Sequence, residues 1–219
     1  MKYKSIIFDL DGTLADTSDD LSAAINLMLE SYGFGRKSKQ AIMEHINYGA
    51  RAFVSGCLPD ERKNDSVFLD EALKRYMKFY EAHCLDKTRL YDGIKELVRS
   101  LYENGVKMCV LSNKQDDMTK KIVMSLLNQE QFAEIIGVSQ KFPHKPNPDS
   151  SIYLANRMGI KLCEVIFIGD SDVDMATAAN AGMFSLGVTW GYRAESVLAE
   201  AGAMRIVRTP GEILNFILD

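Results

Sequence analysis

The 219-residue sequence predicts an α/β protein, a parallel β-sheet flanked by helices, with an all-helical domain inserted near its start. From residue 88 onward, short β-rich runs alternate with amphipathic helical patterns, and this alternation indicates a parallel sheet with helices on both faces. Residues 17–87 interrupt the alternation with helical patterns alone. Polar side chains follow several of the runs, at the strand ends where open parallel sheets bind ligands.

Six short runs carry the strand pattern, and some of them, such as 165–168, are apolar throughout. Continuous apolar runs are typical of central parallel strands, because such strands are buried on both faces. The predicted strands are residues 4–8, 107–111, 134–138, 164–168, 184–188 and 204–207.

Helical patterns lie between these strands. In residues 92–104, Ile94, Leu97 and Leu101 recur at helical spacing, and Gly105 follows in the place that glycine often takes after a helix. Strands and helices together predict a Rossmann-like core made of residues 1–16 and 88–219. Similar patterns predict further helices at 115–127, 148–159, 172–182 and 194–201.

The insert at residues 17–87 shows helical stripes and no convincing strand, so it is predicted to be a separate helical domain. It begins directly after the first strand, at the carboxyl edge of the sheet, where ligands bind in open α/β sheets. We therefore expect the insert to lie over the site as a cap. Its predicted helices are 18–32, about 39–46, about 50–57 and 66–83.

Composition and charge argue against several classes of protein. A net charge of −4 argues against nucleic acid or an anionic membrane as partner. No apolar stretch of about 18 residues is present to span a membrane, and the N-terminal apolar run is too short for a signal peptide. The four cysteines and three histidines show no metal-binding spacing. We expect free thiols in a reducing cytoplasm, and a monomer or homodimer.

Four polar segments stand at predicted strand ends or helix starts. Asp9 and Asp11 end the first strand, and buried carboxylates of this kind require a cation or a chemical role. Because each of the four follows a strand or opens a helix, they can converge on one edge of the sheet. The other three are the segment Ser112-Asn113-Lys114, Lys145 among prolines 143, 146 and 148, and the segment Gly169–Asp174.

These residue types indicate phosphoryl chemistry. Three or more carboxylates without histidine or cysteine form an all-oxygen site suited to Mg²⁺. A hydroxyl group, a lysine and helix N-termini suit a phosphate. A carboxylate can also attack phosphorus and form an aspartyl-phosphate, which divides hydrolysis into two easier steps. A metal and a lysine would then offset the charge of the transferred group.

The same segments, in the same order, resemble the four motifs of the haloacid dehalogenase superfamily. They are Asp9–Leu14, Leu111–Asn113, Lys145-Pro146 and Gly169–Asp174. With Asp16-Thr17 and Ala178–Met183 added, the chain most resembles the phosphoglycolate phosphatase-like branch. The resemblance covers the whole length, including a helical cap between the first two motifs, and implies a Mg²⁺-dependent phosphatase acting on a small phosphorylated metabolite, with phosphoglycolate as the default candidate.

The resemblance also implies roles for individual residues. Asp9 would be the nucleophile and a Mg²⁺ ligand. Asp11 would be the general acid and then the general base, with its backbone carbonyl facing the metal. Asp170 would be a metal ligand, and Asp174 would be a second acidic residue that holds the metal or its waters. The phosphoryl group would be bound by Ser112 and Lys145, together with backbone N–H groups near Gly12 and Asn113.

Simpler roles are open for several of these residues. Ser112 and Asp172 are both candidates for helix N-caps. Asp174 is a candidate for a first-turn carboxylate favoured by the helix dipole. Lys114 is predicted to face solvent.

One segment of the insert is predicted to face the substrate. It contains Gly49 and Arg51, and Arg51 is a candidate for bidentate pairing with a substrate carboxylate. The alternative is a surface arginine on a cap helix. The family pattern usually has a second glycine near position 51, so Arg51 leaves the substrate open.

Three other functions are weighed against the phosphatase. A phosphomutase of the β-phosphoglucomutase type would use the same residues, although Asp11-Gly12-Thr13 is closer to the phosphatases. A dehalogenase needs neither metal nor a second acid, so Asp11 and Asp170 argue against it. A non-catalytic binding protein on this fold should have lost a motif residue, and none is missing.

Overall fold

The computed structural model describes residues 3–218, so the predicted domain ends at residues 1 and 219 lie outside the described residues. The chain divides into two compact units. The first comprises the part up to Asp16 and the part from Leu90 onward, and the second is Thr17–Arg89. Within residues 3–218, none of the helices has both the length and the apolarity that crossing a membrane requires.

The first unit is built on a six-stranded parallel sheet. The strands of the described chain are β1 (Ser5–Phe8), β2 (Ala15–Asp16), β3 (Arg89–Leu90), β4 (Lys107–Gln115), β5 (Glu134–Val138), β6 (Val165–Gly169), β7 (Phe184–Val188) and β8 (Arg205–Val207). The sheet has the order β5-β4-β1-β6-β7-β8, and β2 and β3 form a separate two-stranded pair. The predicted fold class is therefore confirmed.

Strand β1 lies in the middle of the sheet, between β4 and β6. Phe8, its last residue, is in register with Val110 on one side and Ile168 on the other. All four residues of β1 are buried, as the apolar run predicts. The residue that follows, Asp9, therefore emerges at the carboxyl edge of the sheet between two neighbouring strand ends.

The second unit is an all-helical insert. Its helices are α1 (Ser18–Glu30), α2 (Lys39–Met43), α3 (Ala50–Cys57) and α4 (Ser66–His83). The buried carboxylate of Asp20 accepts hydrogen bonds from the backbone N–H groups of Lys87 and Thr88, and from Thr88 Oγ1 at 2.8 Å. Asp20 thus joins the beginning of the insert to its end.

Six helices complete the first unit: α5 (Ile94–Glu103), α6 (Asp116–Leu126), α7 (Asp149–Met158), α8 (Asp172–Ala181), α9 (Glu195–Glu200) and α10 (Pro210–Leu218). The core beneath the sheet packs Ile7 and Phe167 against Leu154 of α7 and Ala178 of α8. Helix α10 was not predicted. It begins at a proline, which the first turn of a helix tolerates, and buries Ile213 and Ile217.

Strand β4 is longer than predicted. It continues from Leu111 to Gln115, and its register with β5 shifts between these two residues. Ser112, Asn113 and Lys114 therefore belong to an irregular strand end, where the backbone departs from regular pairing. Ser112 is accordingly not a helix N-cap, since α6 begins at Asp116 and Gln115 precedes it.

Candidate active site

The centre of the site is an ion pair between β1 and a loop. Asp9 is buried, and its backbone N–H donates to Ile168 O at 2.9 Å, which fixes it at the strand end. Lys145 Nζ lies 2.7 Å from Asp9 Oδ1 and 2.6 Å from Asp174 Oδ1. One buried ammonium group therefore bridges two carboxylates that are distant in sequence.

Asn113 positions Lys145 through its backbone. The Asn113 side chain accepts a hydrogen bond from Lys145 N–H at 2.7 Å and donates one to Lys145 O at 3.1 Å. Asn180 Nδ2 donates to Pro146 O at 3.0 Å, so α8 holds the same loop. The Lys145 ammonium is therefore presented from a loop that two amide side chains secure.

Asp170 follows β6 and is held by neutral donors. Thr13 Oγ1 donates to Asp170 Oδ1 at 3.1 Å, and Tyr192 N–H donates to Oδ2 at 2.7 Å. Gly12 and Gly191 make room for this carboxylate. A Cβ atom at either position would lie 2.3 Å from an Asp170 atom, closer than carbon atoms tolerate.

Asp174 lies in the first turn of α8, within a capping box. Ser171 is the N-cap, and its Oγ accepts from Asp174 N–H at 3.3 Å. In return, Ser171 N–H and Ser171 Oγ donate to Asp174 Oδ2 at 3.1 and 2.6 Å. The suggestion that Asp172 caps this helix is wrong, because Asp172 is its first residue. Asp174 is a first-turn carboxylate that also contacts Lys145.

Three of these carboxylates fit a cation. Among the described residues, Asp9, Asp170 and Asp174 each offer an oxygen atom within 4.8 Å of the others, and all three are buried. Hard oxygen donors with no histidine or cysteine suit Mg²⁺. With Lys145 ionised, its ammonium group contacts Asp9 and Asp174, while Asp170 accepts from neutral donors, so a dication would offset the remaining negative charge.

Electrostatics in the cluster show this uncompensated charge. Burial raises the pKa of Asp9; Lys145 lowers it, but Asp174, Asp170 and Asp11 raise it further. Burial and the neighbouring Asp174 raise the pKa of Asp170 to about 7. Burial opposes the positive charge of Lys145, but Asp174 and Asp9 outweigh it and raise the pKa of the ammonium. These interactions keep Lys145 charged. Burial and the neighbouring carboxylates disfavour the ionised forms of Asp9 and Asp170.

Asp11 faces a different partner. Lys114 Nζ lies 3.0 Å from Asp11 Oδ2, and the two side chains are only 7% and 11% exposed. The prediction that Lys114 faces solvent is wrong, because the irregular end of β4 turns this side chain toward Asp11. Asp9 and Asp11, which are two residues apart, thus pair with different lysines, Lys145 and Lys114.

The structure also places the remaining predicted residues. Ser112 is buried at the end of β4, and its Oγ accepts from Lys114 N–H at 3.2 Å. Gly12 has a positive φ of 87°, and its own N–H donates to Ala15 O at 2.9 Å. Arg51 belongs to the second unit, on α3, where it pairs with the exposed Asp70. The structure therefore brings all predicted site residues of the first unit to one sheet edge, with Arg51 in the other unit.

Sequence reasoning missed the segment after β7. Trp190 Nε1 donates to Thr13 O at 3.0 Å, and Tyr192 N–H binds Asp170. Both residues follow a predicted strand at the carboxyl edge, so the rule that located the other motifs applies to them too. Thr13 and Ser171 lie within the predicted motifs, and each binds a buried carboxylate, a role that the motif spacing alone does not predict.

Comparison with known proteins agrees with this geometry. The chain is 30% identical over 213 residues to phosphoglycolate phosphatase 1 of Pseudomonas aeruginosa, covering 95% of this chain and 78% of that protein. It is 29% identical over 218 residues to N-acetylmuramic acid 6-phosphate phosphatase of the same species, covering 99% and 96%. A crystal structure of a protein from Lactobacillus delbrueckii subsp. bulgaricus has a TM-score of 0.91 at 30% identity, covering 99% of each chain.

A family model identifies the family itself. The model described as haloacid dehalogenase-like hydrolase matches residues 6–188, from β1 to the end of β7. This region contains the two aspartates that follow β1, together with Lys145 and the carboxylates that follow β6. The resemblance predicted from the motifs is confirmed, and the chain belongs to the haloacid dehalogenase-like hydrolases.

Proposed function

We propose that this protein is a Mg²⁺-dependent phosphomonoester hydrolase that acts through an aspartyl-phosphate at Asp9. The observation that carries the proposal is the buried Asp9–Lys145–Asp174 arrangement beside Asp170. It combines a nucleophile, an ammonium group and further carboxylates at one strand edge, and a second acid, Asp11, stands two residues away with its own partner.

In the proposed reaction, an Asp9 carboxylate oxygen attacks phosphorus and the bond from phosphorus to the ester oxygen breaks. Asp11 gives its proton to the leaving oxygen. Asp11 then takes a proton from water, the water oxygen attacks phosphorus, and the bond to Asp9 breaks to release inorganic phosphate. Ser112, Lys145 and backbone N–H groups near Gly12 and Asn113 would bind the phosphoryl oxygens.

Bound by Asp9, Asp170 and Asp174 and by the Asp11 backbone carbonyl, Mg²⁺ would supply positive charge to the phosphoryl oxygens. The capping box orients Asp174 toward that role, and Thr13 and Tyr192 hold Asp170. These neutral donors leave the net negative charge of the cluster in place, which is what a cation site requires.

The substrate proposed is a small phosphorylated metabolite, with phosphoglycolate as the first candidate. Two relatives are named for phosphoglycolate and for N-acetylmuramic acid 6-phosphate, and both names describe a phosphorylated acid. We propose that the helical insert serves as the cap domain that selects among such substrates, with Arg51 as a candidate contact. The cytoplasmic location and the monomeric or homodimeric state stay predictions.

The test is phosphate release from phosphoglycolate with Mg²⁺ present, for the native protein and for Asp9→Asn. We expect Asp9→Asn to reduce kcat by about 1,000-fold or more, since the amide cannot attack phosphorus. EDTA should abolish activity and Mg²⁺ should restore it. Asp149→Asn, which changes an exposed carboxylate of α7, is the matched control. Turnover retained in Asp9→Asn would refute the nucleophile, and turnover in EDTA would refute the metal requirement.

A further inference from the structure

We propose that Lys114 is a specificity-determining residue, which binds a carboxylate on the leaving group and so favours short phosphorylated hydroxy acids. This inference rests on the proposed function, because it takes Asp11 as the group that protonates the leaving oxygen. It assigns a substrate contact to Lys114, which belongs to the first unit, as does its partner Asp11.

The first observation is the burial and position of the ammonium group. Lys114 Nζ lies 3.0 Å from Asp11 Oδ2 with only 7% of the side chain exposed. Lysine is rarely buried without a partner, and here the partner is the proposed general acid itself. The other buried lysine of the site, Lys145, is already shared by Asp9 and Asp174.

The second observation is that the backbone of Lys114 is held at both its N–H and its carbonyl group. Its N–H donates to Ser112 Oγ at 3.2 Å, and its carbonyl accepts from Thr119 Oγ1 at 3.3 Å. The absence of a side chain at Gly137 of β5 leaves room for the Lys114 carbonyl, because a Cβ at residue 137 would lie 2.5 Å from Lys114 O. The ammonium is therefore presented from an anchored strand end rather than from a surface loop.

The reaction brings the leaving group to this ammonium. Asp11 must approach the leaving oxygen to about 3 Å to transfer its proton. Since Lys114 Nζ contacts an oxygen of the same carboxyl group, substituents one or two bonds beyond the leaving oxygen come within its reach. In phosphoglycolate a single carbon separates the ester oxygen from the carboxylate, so the acid group falls in that range.

The chemistry of lysine permits this second contact. An ammonium group has three rotatable donors, so it can bind Asp11 and a substrate carboxylate together. An ion pair gains strength in a partly water-excluded site. A leaving group without negative charge would form no ion pair with Lys114, and this difference creates the preference.

The experiment compares phosphoglycolate with 2-hydroxyethyl phosphate, which has the same length and no charge on the leaving group. Steady-state kinetics are measured for the native protein, Lys114→Met and Lys114→Arg. We expect Lys114→Met to reduce kcat/KM for phosphoglycolate by about 10- to 100-fold, mainly through KM, as for loss of a charged hydrogen bond. Because Lys114 also pairs with Asp11, activity on 2-hydroxyethyl phosphate should fall too, but its loss should be smaller than that on phosphoglycolate by a factor of about 3 or more, and arginine should restore part of the preference.

Lys120→Met is the control, because Lys120 is an exposed lysine of α6 paired with Asp116. Equal losses on both substrates in Lys114→Met would overturn the proposal, since Lys114 would then act through Asp11 alone. If the Met variant does not fold, Lys114→Gln keeps a donor toward Asp11 without the charge and gives the same comparison. Native protein that hydrolyses neither substrate would refute the proposed function, whereas an unchanged substrate ratio in active variants would refute only this inference.

Discussion

The buried carboxylates of the site have different partners. Asp9 shares Lys145 with Asp174, whereas Asp11 pairs with Lys114. Asp170 is held by a hydroxyl and a backbone N–H. The proposed two-step reaction needs Asp9 ionised and Asp11 able to donate a proton, and Mg²⁺ bound at Asp9 would favour the ionised form of Asp9.

Gly12 offers a direct test of the close packing around Asp170. The variant Gly12→Ala places a Cβ 2.3 Å from Asp170 Oδ2 and puts a side chain at a φ of 87°. We expect a loss of about 1–3 kcal/mol in unfolding free energy, and phosphatase activity reduced by at least about 10-fold because Asp170 must move. Chemical denaturation and phosphate release measure the two effects.

Gly105→Ala is the control for Gly12, since Gly105 also has a positive φ, of 73°, but a Cβ there meets nothing within 4 Å. It should lose stability from strain alone and keep its activity. Full activity in Gly12→Ala would show that Asp170 has room to shift without consequence.

Arg51 is the one predicted site residue of the insert. If it pairs with a substrate carboxylate, Arg51→Ala raises KM for phosphoglycolate more than KM for p-nitrophenyl phosphate. Its partner in the structure is Asp70, and both side chains are half exposed. Arg36→Ala, which removes an exposed arginine paired with Glu30, is the matched control. Parallel changes in KM for both substrates would leave Arg51 a surface residue.

At the scale of elements, the start of α8 links helix stability to the site. Ser171→Ala removes the N-cap hydroxyl and its two hydrogen bonds with Asp174, whereas the bond from the backbone N–H of residue 171 to Asp174 Oδ2 is retained. We expect a loss of about 1 kcal/mol in unfolding free energy and a higher Mg²⁺ concentration for half-maximal activity, since Asp174 is less well oriented.

The matched control is Asp65→Ala, which removes the N-cap of α4 in the insert, where Asp65 accepts from Phe68 N–H at 3.0 Å. It should cost about the same stability without changing the Mg²⁺ requirement. An unchanged Mg²⁺ requirement in Ser171→Ala as well would show that the capping box is structural only.

Elements with strong periodicity were predictable, and irregular ones were not. Helix α4 occupies 66–83 as its apolar spacing predicts, and β6 shares residues 165–168 with the predicted strand 164–168. The end of β4 was not predictable, because the register shift after Leu111 depends on hydrogen bonding with β5. Because of this shift, Lys114 contacts Asp11 instead of facing solvent as predicted.

At the scale of the whole molecule, the cysteines report on folding. Cys57, Cys84 and Cys109 are buried and Cys163 is exposed, and all four are free. Burial raises the pKa of Cys57 and of Cys109 to about 12, so both stay protonated near pH 8. We expect one thiol to react rapidly with a disulfide reagent in the native state and four after unfolding.

Cys163→Ser is the control for this titration and should remove the rapid phase while leaving three thiols reactive after unfolding. More than one rapidly reacting thiol in the native protein would contradict the packing described for the core, where Cys109 lies beside Ile7 and Leu111.

The catalytic part of the molecule was largely predictable because it follows a rule of parallel sheets. Motifs at four strand ends or helix starts had to meet at one edge, and the structure brings Asp9, Lys145 and Asp174 into contact there. The partners of these residues were not predictable. Contacts such as that of Tyr192 with Asp170 depend on loop conformation, which periodicity does not encode.

The bonds from Asp20 to Lys87 and Thr88 have a consequence for how the chain can be re-engineered. They bring the first and last turns of the insert together by contacts internal to it. A segment whose two ends meet can be exchanged as a cassette, because the receiving chain needs only two adjacent attachment points. If the insert selects substrates as proposed, replacing Thr17–Arg89 would transplant its share of substrate choice between relatives, while the parallel sheet and Lys114 are kept unchanged.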